Sequence, residues 1–114
     1  MEPGELTGSD AWGAGWALFE RGYFWEAHEV WEPIWLALPP NRGARHAVQA
    51  AIQLANAALK LRMGRVAAAR RLCALAREAA GRANGANAPD DSLGLFHACL
   101  TVVEKRFEVM HYSA

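Results

Sequence analysis

Apolar side chains recur along this chain at helical spacing and nowhere alternate as they would in a half-buried strand. Trp12, Trp16 and Phe19 fall at i, i+4 and i+7, which puts one stripe on one face of a helix. Ser9 or Asp10 can cap that helix, Arg21 suits its last turn, and Gly22 suits the residue just past its end. A second helix is predicted from Tyr23 to the stop at Pro39-Pro40, followed by the loop Asn41-Arg42-Gly43. The third, Ala44 to Met63, carries Ala47, Val48, Ala51, Ile52, Leu54, Ala55, Ala58, Leu59 and Leu61. It is apolar over most of its circumference, as the central element of a bundle must be, and Gly64 ends it. A fourth helix, Val66 to Arg82, sets Ala69, Leu72, Cys73, Leu75, Ala76 and Ala79 opposite its arginines.

The stretch from Gly81 to Asp91, GRANGANAPDD, reads as a loop, since its Asn, Gly and Pro content favours turns. Asp91 or Ser92 then caps a fifth helix that runs to Glu108 on a stripe of Leu93, Phe96, Leu100, Val103 and Phe107. The pattern specifies an all-α fold: a single compact domain over residues 1–114, with five helices and residues 1–8 as a loose N-terminus. Short connections make sequential helices antiparallel neighbours.

Composition narrows the partners. With 114 residues the chain has room for one core, and its 53% apolar content leaves scope for a homo-oligomeric contact. Twelve basic and twelve acidic residues cancel, which argues against nucleic acid or an anionic membrane as partner. The arginines from Arg62 to Arg77 read as a solvated helix face. No apolar run reaches membrane-spanning length, and the acidic N-terminus has no signal-peptide pattern. Cys73 and Cys99 lie in apolar helical contexts without a CxxC motif, so a reduced, cytoplasmic protein is expected.

The densest chemistry lies in FWEAHEVWEPIW, Phe24 to Trp35, which holds three tryptophans, three glutamates, a histidine and a proline. His28 and Glu32 are one helical turn apart and Trp35 continues their face. An imidazole and a carboxylate so spaced can chelate a divalent ion such as zinc, manganese or iron, with at least one more ligand from elsewhere. Glu29 then occupies the place of the general base in H-E-x-x-H helices. The same spacing equally makes a hydrogen-bonded structural pair. Pro33 denies the Glu29 carbonyl its helical donor, which bends the helix or is tolerated near its end.

On the third helix Gln49, Gln53, Asn56 and Lys60 form a single polar stripe at i, i+4, i+7 and i+11. It faces either water or the His28–Glu32 line, because unmet amides inside a bundle are costly. The five tryptophans, all between residues 12 and 35, read first as the contact between the first two helices, with indoles donating to carboxylates such as Glu32; lining a ligand pocket is the alternative. His46 is either exposed or a third ligand, and His97 and His111 read as structural or solvated. No nucleophile motif or phosphate-binding glycine loop is present.

LFERGYFWEAHEVWEPIW followed by AVQAAIQLANAALKLRMGRVAAARRL resembles the bacterial and archaeal family DUF309. The signature of that family is roughly F-x-x-G-x-Y/F-x-x-A-H-E-x-x-E-x-x-W, then I-Q-L-A-x-A and G-N-x-x-G-A-x-x-L segments. Phe19, Gly22, Ala27, His28, Glu29, Glu32 and Trp35 fall in place, and the likeness spans residues 18–76. It departs at Arg65, where the family often has Asn, at Lys60, where a histidine is common, and at Pro33. The resemblance implies an all-α bundle of unknown function whose H-x-x-x-E-x-x-W motif has been suggested to hold metal.

Three functions follow as expectations for a site on His28 and Glu32 supported by Glu29, Trp35, Gln49, Gln53 and Lys60. One is a divalent-metal site, hydrolytic if Glu29 or Glu32 serves as base. Another is a small-molecule or peptide-binding module. The third is an interaction protein that uses the polar cluster for structure alone.

Overall fold

Alanine lets the bundle close. The computed structural model describes residues 10–85 and 93–113, with side chains through residue 107. Helices α1 (Asp10–Glu20), α2 (Phe24–Ala37), α3 (Gly43–Arg62), α4 (Val66–Gly85) and α5 (Gly94–Ser113) follow one another, and no strand occurs among the described residues. The α3 helix buries Ala44, Ala47, Ala50, Ala51, Ala55, Ala57 and Ala58 with Val48, Leu54 and Leu61, which together line about half of its circumference. It packs against α2, α4 and α5, while α1 packs against α2. Methyl side chains add little volume, which allows the neighbouring backbones to approach closely.

Contacts between helices run in opposite senses, which makes the neighbours antiparallel. Trp12 meets Trp31 while Phe19 meets Phe24; His28 meets Asn56 while Leu38 meets Arg45; Arg70 meets Phe107 while Arg77 meets Glu104. Two glycines end helices as expected. Gly22 (φ 87°) and Gly64 (φ 80°) sit in the left-handed region, where a Cβ is penalised. Tyr23 N–H donates to Leu18 O and Arg65 N–H to Lys60 O, both at 2.9 Å, closing the same C-terminal motif twice.

The α1–α2 contact is aromatic. Trp12, Trp16 and Trp31 are buried with ring centroids 4.6–5.5 Å apart. Gly15 faces the Trp31 indole so closely that a Cβ built there would fall inside the ring. Trp31 Nε1–H donates to the Trp12 carbonyl at 3.2 Å, rather than to a carboxylate as expected. The aromatic block is also not uniformly core, since Trp35 is half-buried and Trp25 is 52% exposed.

Two boundaries differ from expectation. Residues 81–85 belong to α4 rather than to a loop, because Ala83 extends the buried series Ala76, Ala79 and Ala80 by one turn. The rest of that expected loop, the caps at Ser9, Asp91 and Ser92, and residues 1–8 lie outside the described residues. The fifth helix runs to Ser113, past its expected end at Glu108. Pro33 stays inside α2 on an exposed surface, where water can serve the Glu29 carbonyl. The arginines Arg62, Arg65, Arg70, Arg71 and Arg77 are exposed, as expected. No described helix is long and apolar enough to cross a membrane.

Candidate functional site

The five-residue connection from Leu38 to Arg42 folds α3 back along α2 and brings two polar lines together. His28 Nε2 lies 3.0 Å from Glu32 Oε2, one turn on along α2. His28 Nδ1 lies 3.0 Å from Asn56 Oδ1, across the helix interface. The imidazole is therefore held at both nitrogens, one by its own helix and one by the neighbour. Its side chain keeps 17% of its surface exposed, whereas the Glu32 side chain keeps 51%. The ring is set into the bundle while the carboxylate reaches water. Trp25 packs edge-on to the imidazole with centroids 5.1 Å apart, which closes the side toward the start of α2.

Beside the pair lies a recess of about 230 Å³, lined by His28, Glu32, Trp35, Gln49, Ile52 and Gln53. The Arg45 guanidinium stacks over Trp35 at 4.6 Å from the ring centroid and donates to the Leu38 carbonyl at 3.0 Å. That contact sets the indole orientation, because a cation on an aromatic face is attracted by the ring quadrupole. Half of the helix 3 stripe, Gln49 and Gln53, thus reaches the recess, and Asn56 holds the histidine. Lys60 is half-buried one turn beyond Asn56 and does not line the recess. Glu29 is exposed on α2 outside it. His46 is half-buried with its Nδ1 buried and unpaired, and it too lies outside the lining; His97 is exposed beside Phe96, and the side chain of His111 lies outside the described residues.

Asn56 is the residue that sequence reasoning placed in the stripe without assigning it to the site. Its signal was the stripe itself. Arg45 gave no signal beyond its position after the loop.

The arrangement around His28 constrains its protons. Both partners are acceptors, so an imidazole donating to each is the imidazolium. A neutral ring that donates Nδ1–H to Asn56 Oδ1 leaves the bare Nε2 lone pair facing the Glu32 carboxylate. Two acceptors at 3.0 Å repel unless a positive centre lies between them. A half-turn of the Asn56 amide gives the third arrangement, in which Nε2–H donates to Glu32 and the amide donates to Nδ1. Among the described residues no three His, Cys, Asp or Glu side chains converge on one point. An ion held here would complete its shell with water, glutamine oxygens or a bound molecule.

The cysteines stand apart from this chemistry. Burial pushes the Cys73 thiol up to about 11, with Glu104 adding to the rise and Arg77 opposing it. Burial likewise pushes Cys99 up to about 11, helped by Glu20. Both are free, buried thiols.

The family described as a domain of unknown function, DUF309, matches residues 12–72, more than half of the chain and the whole of α2 and α3. The chain belongs to that family. No curated protein and no solved structure matches it.

Proposed function

We propose that this DUF309 protein is a binding module whose recess between α2 and α3 takes a compact cationic centre at His28 Nε2 and the Glu32 carboxylate. The observation that carries the reading is the two-sided hold on His28. In the neutral ring that donates Nδ1–H to Asn56 Oδ1, the one of the three arrangements this reading takes, Nε2 and Glu32 Oε2 are two acceptors 3.0 Å apart that a cation would join. A carbonyl oxygen on the far nitrogen is the usual means by which a metal-binding histidine is oriented and its basicity raised. Glutamines at two positions of the lining offer amide oxygens suited to a hard or borderline ion. Pockets for drug-sized ligands typically run to roughly 300–1,000 Å³. The 230 Å³ here suits an ion with its water, or a cationic ligand no larger than an amino acid.

A divalent metal is the form of that cation we favour, since imidazole and carboxylate together match zinc, manganese or iron. Hydrolysis has weaker support. Glu29, the residue in the general-base position of the motif, lies outside the recess, which leaves Glu32 as the base candidate there.

Calorimetric titration of untagged, chelator-free protein with zinc and manganese tests the reading. One equivalent is expected to bind, with loss of binding in His28→Ala and Glu32→Gln and a higher melting temperature for the loaded protein. Absence of stoichiometric binding together with an unchanged melting temperature rules out the metal. Quenching of Trp25 and Trp35 fluorescence by small organic ammonium compounds would then identify the cation as organic.

A further inference from the structure

A larger recess than the one beside His28 lies elsewhere. Where the C-terminal end of α1, the start of α2 and the last turn of α3 meet α5, a cavity of about 390 Å³ opens to the surface. Its floor is apolar: Phe19, Phe24, Cys99 and Val103 are all buried. Arg21, Arg62 and Arg106 stand in its lining against one acid, Glu20. Among the described residues none of these three guanidiniums lies within ion-pairing distance of a carboxylate. Arg62 is fixed in place, stacked over the Phe24 ring at 4.4 Å from the centroid and donating to the Gly22 carbonyl. It is therefore part of the wall, while Arg21 and Arg106 are exposed charges in the same lining.

We propose that this cavity is a second binding site, and that it takes a small anion with a short apolar body, such as a medium-chain carboxylate. Charge complementarity selects the head group: three cations against one anion give the cavity a net positive charge. A guanidinium also offers the paired donors that match a carboxylate. The floor selects the tail, since phenylalanine and valine offer no hydrogen bond to a polar one and a protonated thiol only a weak one. A neutral polar ligand would strand its polar groups over that floor, and a bare inorganic anion would leave the floor wet. The volume lies within the range of ordinary small-ligand sites. The site is distinct from the His28 recess and shares no lining residue with it.

Octanoate is the probe. Isothermal titration at low ionic strength is expected to give one saturable site, at least tenfold tighter than octanamide or acetate at the same site. Arg21→Gln combined with Arg106→Gln is expected to weaken octanoate at least tenfold with little change in melting temperature, because both side chains are exposed. Val102→Glu places a negative charge at a 55%-exposed position of the lining and is expected to abolish binding. His28→Ala is expected to leave octanoate affinity unchanged, which separates this site from the first. Equal affinity for octanamide, unchanged affinity in the double arginine variant, or no saturable octanoate binding at millimolar concentration would each overturn the proposal.

Discussion

Replacing Asn56 by alanine tests the site at the contact that joins its two helices. The substitution removes the acceptor of the 3.0 Å bond to His28 Nδ1 and leaves the rest of α3 intact. A part-buried neutral hydrogen bond contributes about 0.5–1.5 kcal/mol net to stability. Because His28 retains 17% exposure, water can partly replace the lost acceptor, which keeps the cost near the middle of that range. About 1 kcal/mol corresponds to a fall in melting temperature of about 4–6 °C for a domain of this size. Alanine is a better helix former than asparagine and offsets a few tenths of a kcal/mol of that loss.

The effect on binding separates function from structure. If Nε2 and Glu32 hold a cation, freeing the ring lets it turn away, and loss of such an orienting partner costs about 10–100-fold in affinity. That is about 1.4–2.8 kcal/mol, as much as or more than the stability loss. Asn56→Asp keeps an acceptor of nearly the same shape and is expected to retain or raise cation affinity. Calorimetry with manganese or zinc supplies the affinities and differential scanning calorimetry the stabilities. Imidazole ¹⁵N shifts report whether Nδ1 or Nε2 carries the proton. Should Asn56→Ala lose stability yet bind the cation as the wild type does, Asn56 holds the bundle and not the site. If the protonated nitrogen in the neutral ring is Nε2, that nitrogen donates to Glu32 and no pair of facing acceptors awaits a cation.

Other expectations follow from single contacts. Gly15→Ala drives a methyl into the Trp31 indole and is expected to cost about 1–3 kcal/mol, read as a lower denaturation midpoint at unchanged slope. Pro33→Ala restores a donor to the Glu29 carbonyl on an exposed surface and is expected to stabilise by about 1–3 kcal/mol; no gain would mean that water already satisfies that carbonyl in full. Cys73 and Cys99 are expected to resist alkylation at pH 8 in the folded protein and to react on denaturation. Their raised values carry a sign. The unfolded thiols lose protons near 9 while the folded ones hold theirs to about 11, so the stability from these thiols is intact below pH 9 and declines between pH 9 and about 11. Serine at both positions should flatten that decline.

The parts of the fold that were legible in the sequence are those decided locally. Gly22 and Gly64 mark helix ends because only glycine enters the left-handed region without penalty, whatever the rest of the chain does. The end of α4 was not legible. The turn-forming residues Gly81, Asn84 and Gly85 argued for a loop, and burial of Ala83 against the bundle outweighed them. The fate of Trp25 was hidden for a related reason, since a tryptophan on a helix carries no mark of whether its side of the bundle is covered.

The candidate site shows where periodicity runs out. Gln49, Gln53, Asn56 and Lys60 lie within about 60° of one another around α3, so their spacing ranks none of them above the others. Register does. Antiparallel pairing of His28 with Asn56 sets position 32 opposite position 52, position 35 opposite position 49, and position 60 opposite position 24. Gln49 and Gln53 thereby flank the Glu32–Trp35 turn, where the recess lies. Lys60 falls beside Phe24, past the last polar side chain of the motif. A stripe of four equivalent polar positions becomes a site of three because the Leu38–Arg42 connection fixes how far α3 slides along α2. Lengthening that connection by one residue would shift the pairing while leaving every helix pattern unchanged.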